Sequence, residues 1–176
     1  GGIQVNDTFN LLNASVFTLS AWIKPAETST GGRIITKPST SGALQRYSLR
    51  LVTNNIEFRS DGLSPVACNG VVTISTQTWY FVAATYNITH SAVYVNGALD
   101  AACKVSGTLP SSRFALQIGR FDSVTAQSFE GTIDEVRIYN RSLSRQQILA
   151  LFNNQTGVIV SEEIGKRGEN WSAIVT

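Results

Sequence analysis

Methionine is absent from the 176 residues, histidine occurs once, and cysteine occurs twice. The lone histidine, His90, lies in Ile88-Thr-His-Ser91, which reads as a turn between two strands. With one imidazole and no nucleophile elbow, a Ser- or Cys-based triad has nothing to be built from. Neither cysteine belongs to a CxxC, so a zinc or redox motif is missing too. Charged residues make up only 15% of the chain, against a net charge of +2. The basic residues are scattered, with no Lys/Arg run or basic stripe, which argues against nucleic acid and against anionic membranes as partners. No apolar run approaches the length that inserts across a bilayer. The missing methionine, with no signal peptide in view, reads as a processed piece of a longer precursor.

What is present is a 43% hydrophobic composition, enough for a packed core. Asn-x-Ser/Thr occurs at Asn6, Asn13, Asn87, Asn140, Asn154 and Asn170, among 12 asparagines. Glycans at these positions require every one of them to lie on the surface, and they point to an extracellular or cell-surface location. In that compartment Cys68 and Cys103 are expected to form a disulfide, two buried free thiols being the alternative.

Short alternating segments dominate. Phe17, Leu19, Ala21 and Ile23 share one face; Tyr47-Ser-Leu49-Arg-Leu51 and Ile56-Glu-Phe58-Arg59 repeat the period of two. Trp79 to Tyr86 is apolar on both faces, as a central strand of a sandwich would be. Val93-Tyr-Val95, Phe114 to Ile118 and Ile133 to Tyr139 complete the set, separated by Gly, Asn, Ser and Thr. Asn96-Gly97 predicts a tight hairpin between Ala92–Val95 and Leu99–Val105, because both residues tolerate positive φ. Thr28 to Gly32 and Lys37 to Gly42 read as loops. One helix is expected at 144–152, opened by a capping box from Ser144 and Gln147. The pattern predicts an all-β sandwich followed by one short helix. Residues 154–176 read as a tail or linker, with strand-like stretches at Gly157–Ser161 and Trp171–Thr176.

Several segments, in order, resemble the laminin-G-like, concanavalin A-like lectin/glucanase superfamily. Phe17-Thr-Leu-Ser-Ala-Trp-Ile-Lys-Pro25 is similar to its early strand. Thr78-Trp-Tyr-Phe-Val-Ala-Ala-Thr-Tyr86 resembles its central strand, and Val93-Tyr-Val-Asn-Gly97 its following hairpin. Phe129-Glu-Gly-Thr-Ile-Asp-Glu-Val-Arg-Ile-Tyr-Asn-Arg-Ser-Leu-Ser144 resembles its long C-terminal signature. The resemblance covers residues 1–153 and implies an all-β, two-sheet antiparallel jelly-roll sandwich, with a role in adhesion or glycan binding within a larger secreted protein. The family's opening strand looks missing or shortened here, since the chain starts at Gly1-Gly-Ile-Gln-Val5. An open sheet edge of that kind invites pairing with another chain.

Glucanases of this fold carry Glu-x-Asp-x-x-Glu on one strand, so that carboxylates flank the glycosidic bond. No such run occurs. Glu130, Asp134 and Glu135 have the wrong spacing, and Glu57 and Asp61 approach a turn. The resemblance also implies calcium at Asp134, with backbone carbonyls from near the N-terminus; hard oxygen ligands suit that ion. The alternative is a structural hydrogen bond, or an ion pair with Arg137. Among the rings, Trp22 and Trp79 are expected in sheet packing. Arg46, Arg120, Phe121 and Asp122 form the candidate ligand patch. The leading expectation is a non-catalytic, N-glycosylated extracellular recognition or adhesion module for a glycan or an extracellular protein. The alternative is a structural subunit of a glycosylated filament or surface layer, in which copies exchange strands through the N-terminal edge and C-terminal tail.

Overall fold

A computed structural model describes residues 2–6, 14–27, 30–40, 44–121 and 127–155. Asn13, Asp122, Asn170 and the tail from residue 156 onward lie outside them, as do the strand-like stretches expected in that tail.

The strands run in chain order as β1 Ile3–Val5, β2 Phe17–Pro25, β3 Thr30–Pro38, β4 Gln45–Val52, β5 Asn55–Arg59, β6 Leu63–Ser64 and β7 Ala67–Asn69. They continue as β8 Tyr80–Tyr86, β9 His90–Val95, β10 Ala98–Lys104, β11 Ser106–Gly107, β12 Leu116–Ile118 and β13 Gly131–Tyr139, and the chain closes with helix α1, Arg145–Phe152. A six-stranded sheet has the order β1-β12-β3-β4-β5-β7, and a five-stranded sheet the order β10-β9-β8-β2-β13. All their pairings are antiparallel. This is the expected sandwich.

Successive residues of a strand point to opposite faces, so the register sorts the side chains of the six-stranded sheet into rows. Ile3, Ile118, Ile35, Leu49, Phe58 and Cys68 pair in sequence across it. Of these, Ile118, Ile35, Leu49 and Phe58 meet Phe17, Leu19, Ala21, Ile23, Val82, Ala84 and Val93 of the other sheet in one core. Phe17 lies 4.5 Å from Tyr47 and 5.5 Å from Tyr86, ring centre to ring centre. The opposite side of the five-stranded sheet is also apolar. Phe81, Ala83 and Tyr94 pack there against Leu143, Ile148 and Leu151, with Trp22 and Phe152 beside them. This is why β8 is apolar on both faces: one serves the central core and the other receives α1.

Local chemistry fixes the helix. The Ser144 hydroxyl accepts from the Gln147 N–H, and the Gln147 side chain accepts from the Ser144 N–H. The Thr18 hydroxyl donates to the Arg141 carbonyl and accepts from the Leu143 N–H, tying the approach to β2. The Asn96-Gly97 turn has φ of 49° and 79°. A Cβ on Gly97 would sit 2.9 Å from a methyl of Leu149, so the turn needs glycine both for its backbone and for the helix packed on it.

Two sequence expectations change. Thr28–Gly32 and Lys37–Gly42 were expected to be loops, yet β3 covers Thr30–Pro38. Its register slips at three places against β4, one of them between Arg33 and Ile35. Ile34 and Ile35 are consecutive and both fully buried, so bulges erase the period of two that marks a strand. Trp79 was expected in the packing; it stands just before β8 and is 42% exposed. Trp22 does pack, with its ring stacked 5.8 Å from Phe152.

Cys68 and Cys103 form the expected disulfide. It joins β7 to β10, the last strands of the two sheets on the same side of the sandwich. The opposite edge of the six-stranded sheet is β1, three residues long, with Ile3 62% and Val5 40% exposed. The opening strand is therefore present in short form. Among the described residues no helix is long and apolar enough to cross a membrane.

Candidate functional site: the polar face of the six-stranded sheet

The rows that point away from the core on this sheet are polar. One runs Gln4, Gln117, Thr36, Ser48, Arg59 across β1, β12, β3, β4 and β5. The next runs Arg33, Arg50, Glu57, Asn69 across β3, β4, β5 and β7. The helix lies on the other sheet, and on this one Phe121 and Gln127 reach Arg33. Thr36 and Ser48 are fully buried at the floor, their hydroxyls 2.8 Å apart.

Arg50 pairs with Glu57 across the strands, with side chains 14% and 6% exposed. Arg59 pairs with Asp61 through Nε at 2.7 Å and Nη2 at 2.6 Å. The other oxygen of Asp61 accepts from the Gln45 backbone N–H at 2.7 Å and from its side-chain amide at 3.3 Å. Each carboxylate thus faces its own guanidinium.

Arg33 is different. It is 2% exposed, and its hydrogen-bond partners are neutral. Nη1 donates to the Gln45 side-chain oxygen at 2.6 Å and to the Ser48 hydroxyl at 3.4 Å. Nε donates to the Gln127 side-chain oxygen at 3.0 Å, and Nη2 donates to the same oxygen. Its guanidinium carbon lies 5.3 Å from the centre of the Phe121 ring. Burial, and then the like charge of Arg50, pull its pKa down to about 10; Glu57 and Asp61 oppose this and Arg59 adds to it. It stays a cation at neutral pH, without a carboxylate of its own among the described residues.

The candidate patch read from the sequence is divided by the fold. Phe121 is buried under Arg33. Arg120 instead lays its methylenes where a Cβ of Gly2 would be. Arg46 is buried at the end of β4, where it donates to the carbonyls of Pro110 and Ala14 and faces the phenol of Tyr86. It clamps loops and is not brought to Phe121. Asp122 lies outside the described residues. Arg33 lies on a strand whose bulges hide it in the sequence, and Gln127 reaches it from 94 positions away. The signal that could have found the rest was in view: the strand pairs Ser48/Arg50 and Glu57/Arg59 alternate polar residues opposite the core.

Asp134 is exposed on β13, next to a register slip at Glu135, and accepts from the Glu135 N–H at 2.7 Å. Arg137 pairs with Glu135 at 2.9 Å, not with Asp134. Among the described residues no three His, Cys, Asp or Glu side chains gather to hold a metal. Asn6, Asn87, Asn140 and Asn154 are all exposed.

A family model described as the concanavalin A-like lectin/glucanases superfamily matches residues 1–149. The chain belongs to that superfamily. No curated protein matches the sequence. Among solved structures, this superfamily member is similar to the IT-sialidase CBM40 of Ruminococcus gnavus, bound to α2,3-sialyllactose, with TM-score 0.68, 12% identity, and 86% and 96% of the two chains covered. It is also similar to domain 4 of an extracellular arabinanase from Geobacillus stearothermophilus, in complex with arabinotriose, with TM-score 0.67, 22% identity and coverages of 85% and 71%. A pentraxin from Limulus polyphemus gives TM-score 0.64, 17% identity and coverages of 79% and 70%. At these identities the likeness is one of fold.

Proposed function

We propose that this domain is a non-catalytic glycan-recognition module of an extracellular or cell-surface protein, and that its glycan lies on the polar face of the six-stranded sheet. The observation that carries the reading is that face: two rows of hydrogen-bonding side chains, including three guanidiniums, on the outside of a sheet whose counterpart is apolar. Protein surfaces that bind sugars need fixed donors and acceptors held by their neighbours, and ion pairs and amides in register supply them. Two structural neighbours bound to saccharides, sialyllactose and arabinotriose, support the same reading. The disulfide and the four exposed sequons support an extracellular setting and N-glycosylation.

The test is a glycan array with the folded, disulfide-intact domain, followed by calorimetric titration with and without EDTA. Binding that Arg50→Ala weakens, with no hydrolysis of the bound saccharide, is the expected result. A folded domain that retains no saccharide would overturn the reading. The EDTA arm tests calcium at Asp134 directly.

A second reading, assembly into a filament by strand exchange, is favoured by one observation: the short outer strand β1, with Ile3 and Val5 exposed on an open edge. Electron microscopy of native material, with and without residues 157–176, decides it. Discrete particles from the full chain would sink this idea.

A further inference from the structure

The polar face holds three guanidiniums, Arg33, Arg50 and Arg59, and two carboxylates, Glu57 and Asp61. The carboxylates are already engaged, each on its own arginine. The positive charge left over belongs to Arg33, the most buried of the three. Burying a guanidinium without an anion is costly, and the usual remedy is a carboxylate on its fork. The chain instead places glutamines, Gln45 and Gln127, where a glutamate of the same shape would neutralise the charge. Neutral amides orient the guanidinium, and among the described residues no carboxylate pairs with it.

The two amides are not equivalent. Gln45 is buried and itself held by Asp61. Gln127 is partly exposed, and its single side-chain oxygen spans Nε and Nη2. That edge of a guanidinium matches two parallel oxygens of a planar carboxylate. The amide supplies one oxygen where a carboxylate supplies two, each with charge. Displacing it costs a solvent-facing side chain its contact and gives the buried cation a counter-ion.

We propose that Arg33 is the docking point for the carboxylate of an acidic sugar, taken on the Nε and Nη2 edge where the Gln127 amide oxygen sits. The inference rests on the glycan-recognition reading above and names its ligand class: oligosaccharides bearing a uronic or sialic acid. The rest of the saccharide runs over Arg50, Glu57 and Asn69, the continuation of the Arg33 row. Phe121 backs the guanidinium, so the ligand approaches from the Gln127 side.

The test is calorimetric titration with two matched pairs: trigalacturonate against its carboxyl-reduced counterpart, and sialyllactose against lactose. One acidic member of a pair is expected to bind on the order of tenfold or more tightly than its neutral partner, the difference a charged bidentate contact makes. Three variants accompany it. Gln127→Glu puts a carboxylate of the chain's own on the fork; it is expected to melt at the same temperature or higher and to lose the acidic preference. Gln127→Ala removes the competing amide and is expected to bind the acidic sugar more tightly. Arg33→Lys keeps the charge and loses the fork, and is expected to reduce the preference; its melting temperature reports whether the fold survives. Equal binding of acidic and neutral partners by a glycan-binding domain overturns the acidic-sugar inference alone. So does a Gln127→Glu variant that keeps the preference. Absence of binding to all four saccharides and to a glycan array overturns the glycan reading itself, and this inference with it.

Discussion

The two sheets share a core, yet the surfaces they turn away from it are built on opposite principles. Outside the five-stranded sheet, Trp22, Phe81, Ala83 and Tyr94 are apolar, and the chain covers them with its own helix. Outside the six-stranded sheet the corresponding positions are Arg33, Thr36, Ser48, Arg50, Glu57 and Arg59, which bond to one another and to Gln45, Asp61 and Gln127. Burying apolar area stabilises at about 25 cal/mol per Å². Burying ion pairs is close to neutral, because desolvation offsets attraction. One outer face therefore serves folding. The other adds little to folding and carries ordered donors and acceptors, which is what recognition requires.

The largest expected effect lies on the apolar face. Ile148 is fully buried between α1 and the sheet. Ile148→Ala is expected to destabilise by about 2–5 kcal/mol, the range for a buried isoleucine whose cavity cannot collapse. Urea denaturation measures it. Saccharide affinity of the fraction that remains folded should not change; if affinity falls in step with stability, the two faces are coupled and the division fails.

The disulfide comes next, because it ties the two sheets together on one side. Replacing both Cys68 and Cys103 by serine should cost about 3–4 kcal/mol for a loop of this size in the chain-entropy account; the separation is 35 residues. The same denaturation experiment, run with and without reductant on the natural chain, should give matching losses. The cap of α1 is smaller. Ser144→Ala removes the hydroxyl that accepts from Gln147 and should cost about 1 kcal/mol.

These regions also differ in how plainly the sequence announces them. The apolar face and core were legible because their strands keep the period of two and because the capping box and Asn-Gly turn depend on neighbours in sequence. Helix α1 starts one residue from where Ser144 and Gln147 predict it. The polar face was legible only in half. Ser48, Arg50, Glu57 and Arg59 sit in visible alternation, but Arg33 lies on a strand whose bulges hide it. Its partner Gln127 comes from a segment 94 positions away. A site assembled by cross-strand register and a distant loop has no local signature. The local cluster that looked like a patch is not kept together: Phe121 lies under Arg33, while Arg46 holds the carbonyls of Pro110 and Ala14.

The smallest expected loss of stability is also the sharpest test of the comparison. Replacing the Arg50–Glu57 pair by Met and Leu would make the polar face resemble the apolar one. Removing both members of a buried ion pair, unlike removing one, leaves no orphan charge, and such swaps are neutral or stabilising by about 1–4 kcal/mol. The effect on Arg33 is close to balanced as well: Arg50 disfavours its charge and Glu57 favours it, so the two losses oppose. The double variant should therefore melt at or above the temperature of the natural chain while its saccharide binding collapses. The opposite pattern, a drop in stability as large as that of Ile148→Ala with binding intact, would mean that the polar rows hold the sheet together and that recognition happens elsewhere on the molecule.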